Sequence, residues 1–267
     1  MKFRLLIKAL DRTFFFGKIS DLRIGLIKIR FKSHLRFDYK RSFMVYSKKS
    51  SKLAALCDLY GSDKGSNLTV NHPYAWDPHR YTDLYEMLFY GNEDEITSVF
   101  ECGIGTSNAS FPANMGPAGQ PGASLRVWRD YFPNAIIYGA DIDRDVLFKE
   151  ERIETFYMDQ LDPNSIKSAT QKFQAGVFDL MVDDGLHTYD AAITLFLNSS
   201  HLLSPRGIYV IEDVTPKSMR QMLVPGVIPN PFVVYPVTFH EVGKNQELNS
   251  LLVITRVSQS LDHLDRR

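Results

Sequence analysis

The sequence is short of cysteine and of long apolar runs. It has 267 residues but only two cysteines, Cys57 and Cys102, which excludes a disulfide scaffold and favours a reducing compartment. No stretch reaches the 18 apolar residues that a membrane-spanning helix needs. The first 30 residues lack the uninterrupted apolar core and small-residue cleavage site of a signal peptide. We therefore expect a cytoplasmic protein.

Net charge is also absent, with 31 basic and 31 acidic residues, but the two signs are separated along the chain. Residues 1–50 carry 14 Lys/Arg and 3 Asp/Glu, a net of +11, whereas residues 51–267 carry 17 and 28, a net of −11. We divide the chain into a basic N-terminal arm (1–50), a main domain (51–257) and a polar tail (258–267). The acidic main domain gives no support for a nucleic-acid partner.

The basic arm allows two interpretations. Its segment 22–31 alternates loosely between apolar and basic residues, which suits a strand or an amphipathic segment. Such an arm can pack on its own domain or on a partner subunit of a homo-oligomer. It can also make peripheral contact with the inner face of an anionic membrane.

Two apolar strands that each end in carboxylates organise the main domain. Residues 177–182 run into Asp183-Asp184-Gly-Leu-His187, and residues 207–211 run into Glu212-Asp213. The amphipathic segment 189–203 between them predicts a helix, so the two strands are parallel neighbours. Their carboxyl ends then face one crevice, where open α/β sheets bind ligands. We expect Asp184, Glu212 and Asp213 to share one cation beside His187.

Polar residues also follow the three preceding strands. The first, from Ser98, ends in Glu101-Cys-Gly103-Ile-Gly105-Thr-Ser107, whose glycines permit a tight turn and a close approach to a ligand. The second ends in Asp141, which either accepts the hydroxyls of a ribose or caps a helix at the surface. The third ends in Asp159-Gln160, a polar pair that suits an adenine edge.

The remaining segments are a start helix, an aromatic loop and a late hairpin. Leu53, Leu56 and Leu59 predict a helix that Gly61 ends. The loop 72–81 is dense in His, Trp and Tyr, so it lines a pocket rim or caps the core. Residues 216–236 are expected to form a Pro-rich loop, and strands 233–240 and 250–256 close the chain.

With these features the sequence resembles the class I S-adenosylmethionine-dependent methyltransferases. More narrowly, over about residues 54–256, it resembles the metal-dependent sugar O-methyltransferases of natural-product pathways. The resemblance implies an α/β fold with a Rossmann-like, doubly wound, mostly parallel sheet and a C-terminal antiparallel hairpin. The motifs that carry it are Tyr60-Gly-Ser-Asp-Lys-Gly65, His79-Arg-Tyr81, Glu101-Cys-Gly-Ile-Gly105, Tyr138-Gly-Ala-Asp141, Asp159-Gln160, Asp183-Asp-Gly-Leu-His187 and Glu212-Asp213.

The same resemblance implies the roles of the site residues. Asp184, Glu212 and Asp213 would bind Mg²⁺, with Asp184 and the general base His187 as the catalytic pair. S-adenosylmethionine would be held by Lys64, Tyr81, Glu101, Gly103, Gly105, Ser107, Asp141, Asp159, Gln160 and Asp183. The expected reaction moves a methyl group to a hydroxyl of a sugar, either free or on a glycan, glycolipid or glycosylated natural product.

Two other functions are compatible with such a sheet. A nicotinamide- or iron-dependent oxidoreductase could use the same fold, although no GxGxxG follows the first strand and no set of two His and one carboxylate is evident. A non-catalytic binding module could use the sheet edge as a platform, in which case the acidic residues would be solvated turns and helix caps.

Overall fold

The computed structural model describes residues 24–29, 43–46, 51–65, 74, 76, 78–240 and 249–257. The predicted tail and most of the predicted basic arm lie outside the described residues. No helix within the described ranges is both long and apolar enough to cross a bilayer.

The strands of the described residues form one mixed sheet. They are β1 (Ile24–Ile29), β2 (Phe43–Tyr46), β3 (Ser98–Cys102), β4 (Ile136–Asp141), β5 (Lys149–Glu150), β6 (Ile153–Tyr157), β7 (Phe178–Asp183), β8 (Leu203–Ile211), β9 (Phe232–His240) and β10 (Ser250–Arg256). Their order across the sheet is β2-β1-β9-β10-β8-β7-β3-β4-β6-β5. The five central strands, β8-β7-β3-β4-β6, are all parallel.

The antiparallel pairs lie at the margins of the sheet. Strands β9 and β10 form the C-terminal hairpin, and β10 pairs with β8. Within the arm, β1 pairs with β9 and β2 with β1, so these two backbone segments extend the sheet beyond the hairpin. A parallel centre flanked by a late antiparallel hairpin confirms the predicted fold class.

Helices cover both faces of the sheet. They are α1 (Lys52–Tyr60), α2 (Thr82–Phe89), α3 (Ala123–Tyr131), α4 (Pro163–Thr170), α5 (Tyr189–Ser199) and α6 (Pro216–Met222). The first three pack on one face, where Leu53, Tyr85 and Trp128 meet alternate strand residues such as Val182. The other three pack on the opposite face around Met181. Side chains alternate between faces along a strand, so β7 supplies both cores.

Two helices depart from the expectation. The prediction that residues 216–236 form a loop is wrong for α6, and α4 was not anticipated. Each begins with a side-chain cap followed by proline: Asp162 accepts from Asn164 N before Pro163, and Thr215 accepts from Ser218 N before Pro216. Proline is favourable in the first turn of a helix because the N–H groups of that turn have no partner within the helix. The lack of an N–H in proline therefore costs no hydrogen bond.

Candidate active site at the carboxyl edge of the sheet

The acidic residues lie at adjacent strand ends because the sheet hydrogen bonds continue past the strands. The backbone N–H of Asp184 donates to the Cys102 carbonyl at 2.8 Å, and that of Glu212 donates to the Asp183 carbonyl at 2.9 Å. These two bonds fix β7 against β3 and β8 against β7. The acidic residues after β7 and β8 therefore lie close together, as predicted.

A buried lysine joins the tips of the two acidic turns. The Lys64 ammonium donates to Asp184 Oδ2 at 2.5 Å and also to Glu212 Oε2. It lies 3.5 Å from Glu101 Oε1, and only 2% of the residue is exposed. Tyr85 OH donates to the second Glu212 oxygen at 2.5 Å. Glu212 is thereby held inside the protein, whereas Asp184 remains at the wall of the cleft.

Asp213 faces a second group of side chains. It accepts a hydrogen bond from Tyr81 OH, and its oxygens lie 3.6 Å from His79 Nδ1 and 3.9 Å from His187 Nε2. His79 Nε2 in turn lies 3.5 Å from Asp63 Oδ2. Asp184, His187 and Asp213 each present a ligand atom, and these atoms lie within 4.8 Å of one another. Such a group has the size of a single metal site.

Backbone strain is concentrated in the same group. His187 has a φ of 58° and Asp213 a φ of 50°, both in the left-handed region that residues with a Cβ avoid. Each such conformation costs on the order of 1–3 kcal/mol and persists where the surrounding structure enforces it. The two turns hold their functional side chains in place despite this cost.

The site has more acidic than basic side chains. Five carboxylates, those of Asp63, Glu101, Asp184, Glu212 and Asp213, surround Lys64 and His79. Burial raises the pKa of Glu212 well above its usual range, although Lys64 opposes this. Burial alone would lower the pKa of His79, but Asp213 and Asp63 raise it to about 9, so this imidazole is cationic at neutral pH. The excess of carboxylates favours a bound cation.

The glycine turn after β3 touches the acidic turn after β7. Gly103 has a φ of 88°, and a Cβ built on it would lie 2.1 Å from the Asp184 carbonyl oxygen. Only glycine can occupy this position without moving the backbone. The next N–H, of Ile104, donates to Asp141 Oδ2 at 3.0 Å, while Asp141 Oδ1 accepts from Asp143 N at 2.9 Å. Burial raises the pKa of Asp141, and these backbone donors oppose the shift.

The turn after β6 is tied to the turn after β7. Gln160 Nε2 donates to Asp183 Oδ1 at 2.5 Å, and Gln160 Oε1 accepts from Leu186 N at 3.0 Å. The strand ends enclose one cleft of about 1400 Å³. This exceeds the 300–1,000 Å³ typical of a site for one small molecule. The cleft therefore has room for two reactants.

The structure divides the predicted site residues into two sets. Those that line the cleft are Lys64, Gly103, Gly105, Asp141, Asp159, Gln160, Asp184, His187 and Asp213. Those that stand behind its wall or outside it are Tyr81, Glu101, Ser107, Asp183 and Glu212. Glu101 is fully buried and accepts from Ser124 and Trp128, so it reaches the cleft through Lys64.

Sequence reasoning assigned no role to several residues that line the cleft. Asp63 and His79 complete the Asp213 group, and Ile142 and Leu161 expose apolar side chains beside Asp141 and Gln160. Asp63 and His79 lie inside two of the motifs that carry the family resemblance, so those motifs could have identified both residues. Tyr74 and Trp76 also line the cleft, which agrees with the pocket-rim interpretation of their loop.

Sequence comparison finds relatives among curated O-methyltransferases. The chain is 35% identical over 162 residues to 8-demethyl-8-alpha-L-rhamnosyl tetracenomycin-C 2'-O-methyltransferase of Streptomyces olivaceus, which covers 61% of this chain. It is 32% identical over 136 residues, 51% of this chain, to mycinamicin VI 2''-O-methyltransferase of Micromonospora griseorubida. The resemblance to the sugar O-methyltransferases is confirmed. These matches cover 37% and 32% of the two enzymes, so the chain spans about a third of the length of the curated relatives it matches.

Structural comparison finds the same fold in a solved methyltransferase. The MycE methyltransferase from the mycinamycin biosynthetic pathway, in complex with Mg and SAH, matches 80% of this chain and 57% of its own with a TM-score of 0.55 at 24% identity. A second crystal form of that complex gives a TM-score of 0.50 at 23% identity, over 78% and 54% of the two chains. The likeness shows a shared fold. No protein-family model matches the chain.

Proposed function

We propose that this chain is a Mg²⁺-dependent O-methyltransferase that moves a methyl group from S-adenosylmethionine to a sugar hydroxyl of a glycosylated small molecule. One observation carries the proposal: the acidic turns after β7 and β8 meet in the same cleft as the glycine turn after β3. Asp184, Asp213 and His187 line the same cleft as Gly103 and Asp141, which would hold the cofactor. The names of the relatives support the same reaction.

The donor set suits a hard divalent cation. Magnesium prefers carboxylate and water oxygens, and Asp184, Asp213 and Glu212 are carboxylates at two neighbouring strand ends. The structure supports Asp184 and Asp213 most directly, since both line the cleft. Glu212 would complete the set if it shares its oxygen with Lys64. His187 Nδ1 is buried and has no hydrogen-bond partner within the described part of the chain, while its Nε2 lies 3.9 Å from Asp213 Oδ2.

The cofactor half of the cleft suits an adenosyl group with an amino-acid tail. Asp141 would accept ribose hydroxyls, while Ile142 and Leu161, which are 41% and 49% exposed, offer apolar faces for the base. Asp159 and Gln160 lie beside them with polar groups for the base edge. Gly103 and Gly105 line the same half, although the space that a Cβ would fill is taken by the Asp184 carbonyl at Gly103 and by Met115 at Gly105. Glu101, Ser107 and Asp183 would support this half from outside the cleft lining, and Lys64 and Tyr81, which contact Glu212 and Asp213, would border it.

The chemistry then divides among the side chains of this chain. When bound, S-adenosylmethionine supplies a methyl group on a sulfonium and magnesium lowers the proton affinity of a coordinated hydroxyl. His187 accepts the hydroxyl proton, and Asp213 at 3.9 Å favours the imidazolium that results. Asp184 and Asp213 orient the acceptor, and holding both reactants in one cleft supplies much of the remaining rate.

The proposal is tested by binding and turnover on the same preparation. We expect calorimetry to detect S-adenosylmethionine and Mg²⁺ binding to the full chain. We also expect transfer of labelled methyl groups to at least one member of a panel of rhamnosylated and olivosylated acceptors. EDTA should abolish transfer and leave S-adenosylmethionine binding intact. Absence of S-adenosylmethionine binding would reject the proposal.

The location and the partners of the enzyme are proposed on the same grounds. We propose a cytoplasmic location and a glycosylated small molecule as acceptor, with no nucleic-acid partner. Peripheral membrane contact through the basic arm and homo-oligomer formation remain proposals, to be tested by vesicle sedimentation and by light scattering of the full chain.

A further inference from the structure

An aromatic pair forms one wall of the cleft. The ring centroids of Tyr74 and Trp76 are 5.0 Å apart with an interplanar angle of 31°, and 40% of Trp76 remains exposed. Both residues line the same cleft as Asp184, His187 and Asp213. A large aromatic face beside carboxylates is a surface for a ligand that is apolar on one side and polar on its rim.

The polar tips of both rings are anchored to the segment after α1. Trp76 Nε1 donates to Asp63 Oδ2 at 2.8 Å, and Tyr74 OH donates to the Gly61 carbonyl at 2.8 Å. The anchored tips fix the ring positions, and 40% of Trp76 stays exposed for contact with a ligand. A pre-positioned aromatic ring loses little conformational freedom when a ligand binds to it.

Trp76 lies on the acceptor side of the cleft, whereas Tyr74 OH lies 3.6 Å from Sδ of Met115, a side chain that packs on Gly105. Asp63, which holds Trp76, is 3.5 Å from His79, and His79 is 3.6 Å from Asp213. Trp76 is thus connected to the Asp213 group through two side chains. Asp141 is on β4, two strands from β7 in the sheet order, a separation of about 10 Å. This placement favours the acceptor over the adenine of the cofactor.

We propose that Tyr74 and Trp76 form a stacking platform for the pyranose ring of the acceptor, an inference that rests on the proposed function. One face of a pyranose is a patch of C–H groups, and its rim carries hydroxyls. Stacked on Trp76, the ring buries its C–H face and turns its rim toward Asp63, His79 and the Asp184–His187–Asp213 group. The platform therefore selects a hexopyranoside and presents one hydroxyl for methylation.

The experiment uses the two tryptophans of the chain as a built-in comparison. Trp128 is 1% exposed and does not line the cleft, so a change in emission on adding the sugar is assigned to Trp76 if it disappears in Trp76→Phe. The probe is methyl α-L-rhamnopyranoside, added to the full chain with saturating S-adenosylhomocysteine and Mg²⁺. We expect a saturable change in emission and a dissociation constant in the millimolar range, as for other small ligands with few contacts.

Variants separate stacking from other contributions. Trp76→Ala should weaken the calorimetric affinity for the rhamnoside about 10-fold, and Trp76→Phe, which keeps a flat ring, should change it less than about 3-fold. Tyr90→Ala removes an aromatic ring that is 82% exposed and does not line the cleft, so it should leave the affinity unchanged. All variants should bind S-adenosylmethionine as the parent chain does.

The outcomes distinguish the two proposals. Unchanged rhamnoside affinity in Trp76→Ala, the absence of any rhamnoside binding, or an emission change caused by the cofactor instead of the sugar would each overturn the platform. If S-adenosylmethionine does not bind, the methyltransferase proposal fails. A rhamnoside response that depends on Trp76 would in that case still establish the platform.

Discussion

The two halves of the sheet edge treat their carboxylates differently. In the proposed cofactor half, Asp141 accepts hydrogen bonds from backbone N–H groups of its own and the neighbouring turn. In the proposed acceptor half, Asp184 and Glu212 converge on the Lys64 ammonium, while Asp213 faces His79 and His187. Backbone donors are neutral and fixed in the fold, whereas the acceptor half depends on charged side chains from distant segments.

This difference indicates that one half is complete without a ligand and the other is not. Both carboxylate oxygens of Asp141 already accept hydrogen bonds from backbone N–H groups. The acceptor half carries an excess of carboxylates that Lys64 and His79 do not neutralise. Buried charges are costly unless they are paired, so a divalent cation would relieve the acceptor half most.

The largest effect is expected for a substitution that alters the acceptor half and leaves the cofactor half intact. Asp184→Asn removes a carboxylate from the proposed metal site but leaves the Asp141 turn intact. Methyl transfer should fall by about 10³-fold or more, since a metal contributes several kcal/mol to such reactions. The measurement is kcat with labelled donor, beside calorimetry of S-adenosylmethionine.

The matched control for this change is Asp190→Asn, an identical substitution on the exposed start of α5. It should retain full activity. If Asp184→Asn were to lose S-adenosylmethionine affinity as well, the two halves of the edge would not be independent.

The contact between the halves is tested at Gly103. Gly103→Ala should lower the free energy of unfolding by about 3 kcal/mol or more, because the added Cβ meets the Asp184 carbonyl at 2.1 Å and the φ is positive. For a domain of this size that corresponds to roughly 6–12 °C in Tm. Gly91→Ala is the control: its φ is 78°, but nothing lies within 4 Å, so about 1 kcal/mol is expected. Equal losses in thermal or denaturant unfolding would show that the contact is not specific.

The ligand set of the acceptor half is sharpened by comparing its two neighbouring acids. Asp213→Asn should weaken Mg²⁺ binding about 100-fold, whereas Glu212→Gln should weaken it about 10-fold, since Lys64 and Tyr85 already hold Glu212. Calorimetric Mg²⁺ titrations of both variants provide the test. A larger loss in Glu212→Gln would mean that Glu212 leaves Lys64 and coordinates the metal.

Much of this edge could be predicted from sequence because strand patterns are local. The apolar runs before Asp184, Glu212 and Asp141 mark buried parallel strands, and parallel strands deliver their ends to one edge. The pairing of Lys64 with Glu212 could not be predicted, since 148 positions separate them. The path from Trp76 through Asp63 and His79 to Asp213 likewise exists only once α1 has packed on the sheet.

The missed helices show a different limit. Prolines 163 and 216 suggest loops when they are counted as helix breakers. Asp162 and Thr215 directly before them change that interpretation, because a capping side chain followed by proline is a helix start. These caps indicate helix starts, whereas the density of proline in residues 216–236 indicates a loop.

The smallest expected effect tests the cofactor half from the other side. In Asp141→Asn one oxygen can still accept from a backbone N–H, but the amide NH₂ would face the second donor. The glycine turn should therefore shift slightly and S-adenosylmethionine affinity should fall about 10-fold, the cost of one charged hydrogen-bond acceptor. Mg²⁺ affinity should stay within about 2-fold of the parent value, because no described contact joins Asp141 to Asp184 or Asp213. Asp145→Asn, an exposed position on the same loop, serves as the control. Calorimetry with each ligand decides the matter: a Mg²⁺ loss as large as the cofactor loss would mean that the two halves of the edge form one coupled site.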